Sequence, residues 1–89
     1  MNAADKKFYR KIGKQLVKAR EAVPFTQTEV TKRIKISQGA LSKIENGDMV
    51  PNPKILYVLS ILYSAPITTF FPYECSEEAM KSKKDNVTK

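Results

Sequence analysis

The chain has 89 residues, enough for one small domain, and carries a net charge of +7. That balance favours a polyanionic partner such as nucleic acid or an anionic membrane surface. With Cys75 as the lone cysteine and no histidine, an intrachain disulfide, Cys/His zinc sites and histidine-based catalysis are excluded. The three glycines are scattered, so no phosphate-cradling loop is present, and nothing in the composition supports an enzyme. No apolar run is long enough to span a bilayer. The first ten residues lack the apolar segment of a signal peptide, so a cytoplasmic protein is expected.

Taken in order, residues 5–22 are predicted as a helix. Asp5 is the expected cap, Phe8, Ile12, Leu16 and Ala19 form an inward face, and Lys7, Lys11, Lys14 and Lys18 lie opposite. Pro24 should stop it, because proline bars the helical conformation of its predecessor. Thr26-Gln27-Thr28-Glu29 is a capping box that opens a second helix ending near Arg33, with Val30 and Ile34 facing inward. Ser37 is the expected N-cap of a third helix reaching Glu45 or Asn46, with Leu41 and Ile44 inward and Ile36 packed on Leu41 as a hydrophobic staple. Gly47 ends it in a left-handed conformation.

Asn52-Pro53 reads as the cap and first residue of a fourth helix. That helix is apolar nearly all round as far as Tyr63, which suits the centre of a core or an interface. Pro66 breaks it, and a fifth short helix is expected over 67–71. Residues 1–73 form the expected domain. Residues 74–89 are polar and are expected to be a flexible tail.

The stretch Thr26 to Gly47 therefore holds two short helices and a tight turn. The second of these helices starts with Ser37, Gln38 and Gly39 and carries Lys43 one turn later, a shape able to enter the DNA major groove. From Thr26-Gln27 to Glu45-Asn46-Gly47 the chain closely resembles the phage-repressor-like helix-turn-helix family of lambda-repressor, Cro and XRE-type regulators. The likeness extends to Ile12-Gly13, Arg20, Pro51 and Phe70-Phe71 and covers roughly residues 8–72.

This resemblance implies an all-α, compact five-helix domain that binds a palindromic operator as a homodimer, with 26–33 as supporting helix and 37–45 as recognition helix. It implies that Gln27 lies near a phosphate, that Ser37, Gln38 and Gly39 open the recognition helix, and that Lys43 lies further along the same face, where Ser42 is either a contact or a small packing residue. Asn46 would reach a phosphate past its end, and Arg20 and Glu45 would form an ion pair. Arg33 and Lys35 are phosphate candidates. Gln38 is the leading base reader, since its amide can pair with adenine through two hydrogen bonds.

Two residues depart from the family pattern. Lys35 stands where a left-handed glycine is usual, so either the turn differs or strain is offset elsewhere. Thr31 stands where alanine is usual. The implied function is a transcriptional regulator, most simply a repressor, with no cofactor and no metal. The alternative is an antitoxin or co-regulator whose main task is to hold a protein partner. Tyr57, Tyr63, Phe71 and Tyr73 exceed what so small a core hides, and a dimer patch is expected around Phe70 to Tyr73.

Overall fold

The computed structural model describes residues 2–72. Four α-helices follow one another: α1 (Ala3–Ala22), α2 (Gln27–Arg33), α3 (Gln38–Asn46) and α4 (Pro53–Leu62). A single 3-10 turn, Ile67–Phe70, comes last, and no strand occurs among the described residues. The architecture is all-α, but the count of five helices is corrected to four. Pro66 and Pro72 leave too few residues between them for an α-helix to recover its nucleation cost. Phe71, just before Pro72, is extended at φ −93° and ψ 143°, as a residue preceding proline should be. Residues 73–89, with Tyr73, Cys75 and the expected tail, lie outside the described residues.

α1 starts earlier than expected, and its cap is Asn2 instead of Asp5. The Asn2 side chain accepts from the Asp5 amide at 2.8 Å. Asp5 then sits within the first turn, where its carboxylate meets the positive end of the helix dipole. Both residues are chemically competent caps, and the one that allows the longer helix wins.

The core is a single cluster of Ile12, Leu16, Val30, Leu41, Ile44, Leu56, Leu59, Tyr63 and Phe70. Within it α1 and α3 approach closely. A Cβ added to Gly13 would run into the carbonyl oxygen of Glu45 and stand 2.8 Å from that of Ile44, so only glycine lets the two backbones meet. Gly47 closes α3 at φ +80°, with its amide on the Ile44 carbonyl and the Asp48 amide on that of Lys43.

α4 is capped by Asn52, whose side chain accepts from the Ile55 amide at 2.8 Å. Leu56, Leu59 and Tyr63 point into the core, but Tyr57 and Ile61 are each 60% exposed, so this apolar helix keeps one uncovered edge. Phe70 is fully buried and offers nothing to a dimer patch. Phe71 is half-buried, its ring centroid 6.4 Å from that of Phe8. Of the expected patch, Phe71 and the neighbouring Ile67, 36% exposed, are what remain at this edge among the described residues.

Candidate nucleic-acid interface

The capping box at the start of α2 is complete. The Glu29 amide donates to Thr26 Oγ1, and the Thr26 amide donates to Glu29 Oε1, both at 3.1 Å. The bond from the Thr26 backbone, joined by one from its hydroxyl, holds the Glu29 carboxyl below its ordinary range. The Thr31 hydroxyl donates to the Thr28 carbonyl at 2.9 Å, so its extra polar group is satisfied within α2.

The turn into α3 departs from the family template at Lys35. Among the described residues Ser64 alone, glycine aside, has a positive φ, so Lys35 is not left-handed. The Ile36 amide instead donates to the Ile34 carbonyl at 2.9 Å, making a three-residue turn centred on Lys35. The turn differs, and the lysine carries no left-handed strain.

Beneath α2 and α3 lies a polar network. Arg20 Nε donates to Glu45 Oε2 at 2.8 Å and Nη2 to Oε1 at 3.3 Å, while Nη1 donates to the Phe25 carbonyl at 2.7 Å. Gln27 Nε2 donates to Glu45 Oε1 at 2.7 Å. Glu45 is only 6% exposed, so α1, α2 and α3 meet on one buried carboxylate. Burial alone would lower the Arg20 pKa, but the hydrogen bond and the charge of Glu45 outweigh it, and the guanidinium stays charged. The Tyr63 hydroxyl is buried nearby without a hydrogen-bond partner. Burial, helped by the Glu45 charge, pushes its phenol far up, so it keeps its proton.

Two partners in this network were not legible in the sequence. Gln27 is 18 residues from Glu45, and Phe25 contributes only a backbone oxygen to Arg20. Side-chain type signals neither contact.

The opposite side of α3 faces outward. At about 100° per residue, Gln38, Gly39, Ser42, Lys43 and Asn46 fall on one side of the helix. Four of them are exposed and Ser42 is half-buried, whereas Leu41, Ile44 and Glu45 face inward. Ser37 serves as the cap, its Oγ accepting from the Ala40 amide at 3.0 Å. A Cβ at Gly39 would meet nothing within 4 Å, so this glycine serves no packing need.

The other expected residues are placed differently. Lys35 is exposed in the turn. Arg33 is exposed, with its guanidinium 4.6 Å from the Phe25 ring centroid and Nη1 donating to the Glu29 carbonyl at 3.2 Å. Gln27 is turned in toward Glu45, yet it still lines a recess of about 560 Å³ with Thr26, Thr28 and Gln38. Among the described residues no cluster of His, Cys, Asp or Glu could hold a metal ion, and no helix is long and apolar enough to cross a membrane.

No curated protein matches the chain. Among the solved structures that share its fold are two of DNA-binding domains. The crystal structure of the DNA-binding domain of BldD is 17% identical over 75% of this chain and 97% of that one, with a TM-score of 0.67. The S. venezulae BldD DNA-binding domain is 18% identical over 74% and 99%, with a TM-score of 0.66. A family model described as helix-turn-helix matches residues 16–70. That span takes in the capping box, the turn, the outward side of α3 and the Arg20–Glu45–Gln27 network, and the chain belongs to this phage-repressor-like helix-turn-helix family of DNA-binding regulators.

Proposed function

We propose that the protein is a sequence-specific regulator that reads double-stranded DNA through the outward side of α3, most simply as a repressor that occludes a promoter. The observation that carries this reading is the division of α3. One side is fixed by the core and by Glu45, and the other presents Gln38, Gly39, Lys43 and Asn46 uncovered. In the major groove, Gln38 at the helix start pairs with adenine, and Lys43 donates to guanine or to a phosphate. Ser37 and Ser42 flank that contact. Asn46, Lys35 and Arg33 contact phosphates and position the helix. Gln27 is bonded to Glu45, so its first role is to hold α2 against α3, and a phosphate contact shares or replaces that bond.

Two copies on a palindrome, with half-sites about one helical turn apart, place two such helices in successive grooves on one face of the duplex. Ile67 and Phe71 are the candidates for the contact between copies. One observation favours a second reading, a regulator or antitoxin that also holds another protein: the uncovered Tyr57 and Ile61 on α4.

In vitro selection of bound duplexes, with mass measured in solution with and without the selected DNA, tests the main reading. A palindromic consensus bound by two copies is expected. No enrichment over random DNA would remove it and leave the protein-partner reading. Arg33→Ala should weaken binding to all sequences alike and make its salt dependence shallower.

A further inference from the structure

On the flank of the molecule between the α2–α3 turn and the start of α4 lies a second groove of about 390 Å³. Its lining includes Ile34, Ile55 and Val58, with Lys35 and Lys54 at its sides. Arg33 also borders it, but its guanidinium is held over Phe25, so Lys35 and Lys54 are the available cations. Both are exposed, neither is paired with a carboxylate among the described residues, and no acidic side chain lines the groove. The first turn of α4 contains no acid either. The groove shares no residue with the recess lined by Gln27 and Gln38, nor with the outward side of α3.

The groove does not end at its rim. Lys54, Tyr57, Val58 and Ile61 are spaced i, i+3, i+4, i+7 along α4 and form one ridge. Tyr57 and Ile61 on that ridge are the two most exposed large apolar side chains among the described residues. A DNA backbone would use the lysines and leave this apolar strip without a purpose. A second copy of the chain would bring a net charge of +7 against the same lysines. An acidic segment with apolar side chains one helical turn apart satisfies both features, its carboxylates on Lys54, and on Lys35 where no phosphate occupies it, and its apolar side chains on Val58 and Ile61.

We propose that this groove and the α4 ridge dock an acidic amphipathic segment of a partner protein. The groove adjoins the phosphate-contacting Lys35 and Arg33 but takes in no residue of the outward side of α3, so a DNA-bound copy recruits its partner through Lys54 and the α4 ridge.

The probe is a fluorescein-labelled synthetic acidic peptide with two leucines four residues apart, titrated against the full chain by fluorescence anisotropy. Saturable binding below about 1 mM is expected. Lys54→Glu and Ile61→Ser should each weaken it at least tenfold, as should replacing both peptide leucines with serine. Both protein positions are exposed, and an unchanged circular-dichroism melt confirms the fold. Affinity for the selected duplex should not change in either variant.

Absence of peptide binding to the wild-type chain, or unchanged binding in Lys54→Glu, would overturn the proposal. Competitive displacement of the peptide by duplex, with weaker duplex binding in Lys54→Glu, would assign the groove to DNA. A dimer converted to monomer by Ile61→Ser would assign the ridge to a second copy. Tighter peptide binding in the Glu77→Gln/Glu78→Gln chain would assign the groove to the chain's own C-terminal segment. If selection finds no DNA sequence but the peptide binds as described, the docking site stands and the DNA reading alone fails.

Discussion

The two sides of α3 obey opposite rules. On the inner side there is no spare room: Gly13 of α1 touches the α3 backbone, and Glu45 carries bonds from Arg20 and Gln27. On the outer side there is nothing but room, and Gly39 has no neighbour within 4 Å of where a Cβ would stand. The same residue type is therefore a requirement at one position and a choice at the other. The inner side fixes the orientation of the helix, and the outer side remains free to be specified by what it binds. Substitutions that exchange these rules test the division directly.

The largest effect is expected at Gly13. Overpacking a core typically costs 1–3 kcal/mol, and here the obstacle is backbone that no rotamer can move aside. Gly13→Ala should cost about 3 kcal/mol or more, enough to unfold much of a domain this small. Urea denaturation measures it. A loss under about 1 kcal/mol would mean that α1 and α3 separate easily and that the crossing does not fix the helix angle.

Glu45→Ala comes next. It leaves the buried end of Arg20 and the amide of Gln27 without their acceptor, and removing one member of a buried pair costs about 3 kcal/mol. Glu45→Gln keeps an acceptor and the volume, so it should lose distinctly less. The comparison of the two urea midpoints isolates the charge. For either variant, sequence preference measured at a temperature where it is folded should be that of the wild type, because Glu45 is on the inner side. A melt unchanged by Glu45→Ala would remove the network from the account.

The parts of the inner side that could be read in advance are those set by residues three or four apart. Thr26 with Glu29, Ser37 with Ala40 and Asn52 with Ile55 each cap a helix through a contact of this kind, and residue type alone announces it. Such reading failed at Asn2 against Asp5, where two competent caps compete and helix length decides. At Lys35 it left two outcomes open, a different turn or an offset strain, and the chain makes a different turn. Of the contacts distant in sequence, Arg20 with Glu45 was implied only by the family resemblance, and no local pattern pointed to the others. The resemblance puts Gln27 near a phosphate, and nothing local points it toward Glu45. The unbroken apolar run of α4 could not say which edge the other helices leave uncovered. On the outer side, the positions of Gln38, Lys43 and Asn46 on one helical side follow from spacing alone, but the bases they meet do not.

On that outer side Gln38→Ala is expected to leave the melt within about 0.5 kcal/mol of wild type, since the side chain is exposed and carries no cap. Affinity for the selected operator should fall by about 1–3 kcal/mol, with discrimination lost at one base position and nonspecific binding retained. Titration of single-substituted duplexes measures this. An equal loss on every duplex would make Gln38 a phosphate contact and move base reading toward Lys43.

Gly39→Ala has only a small effect on the fold, and the sign is the informative part. In α1 the same substitution is blocked by backbone, but at Gly39 the added methyl enters open space. Glycine in a helix is less favourable than alanine by up to about 1 kcal/mol, and less than that in the first turn, where Gly39 lies. The variant should therefore be more stable by about 0.5 kcal/mol, seen as a higher urea midpoint with an unchanged slope. A glycine kept at a stability cost on an exposed helix start needs another reason, and close approach to a base or phosphate supplies one. On that account the more stable variant binds the operator more weakly, because the methyl holds α3 away from the groove. Equal or tighter operator binding by the stabilised variant would show that the opening of α3 is not in close contact with DNA, and the base-reading role would pass to Lys43 and Ser42 further along the same side.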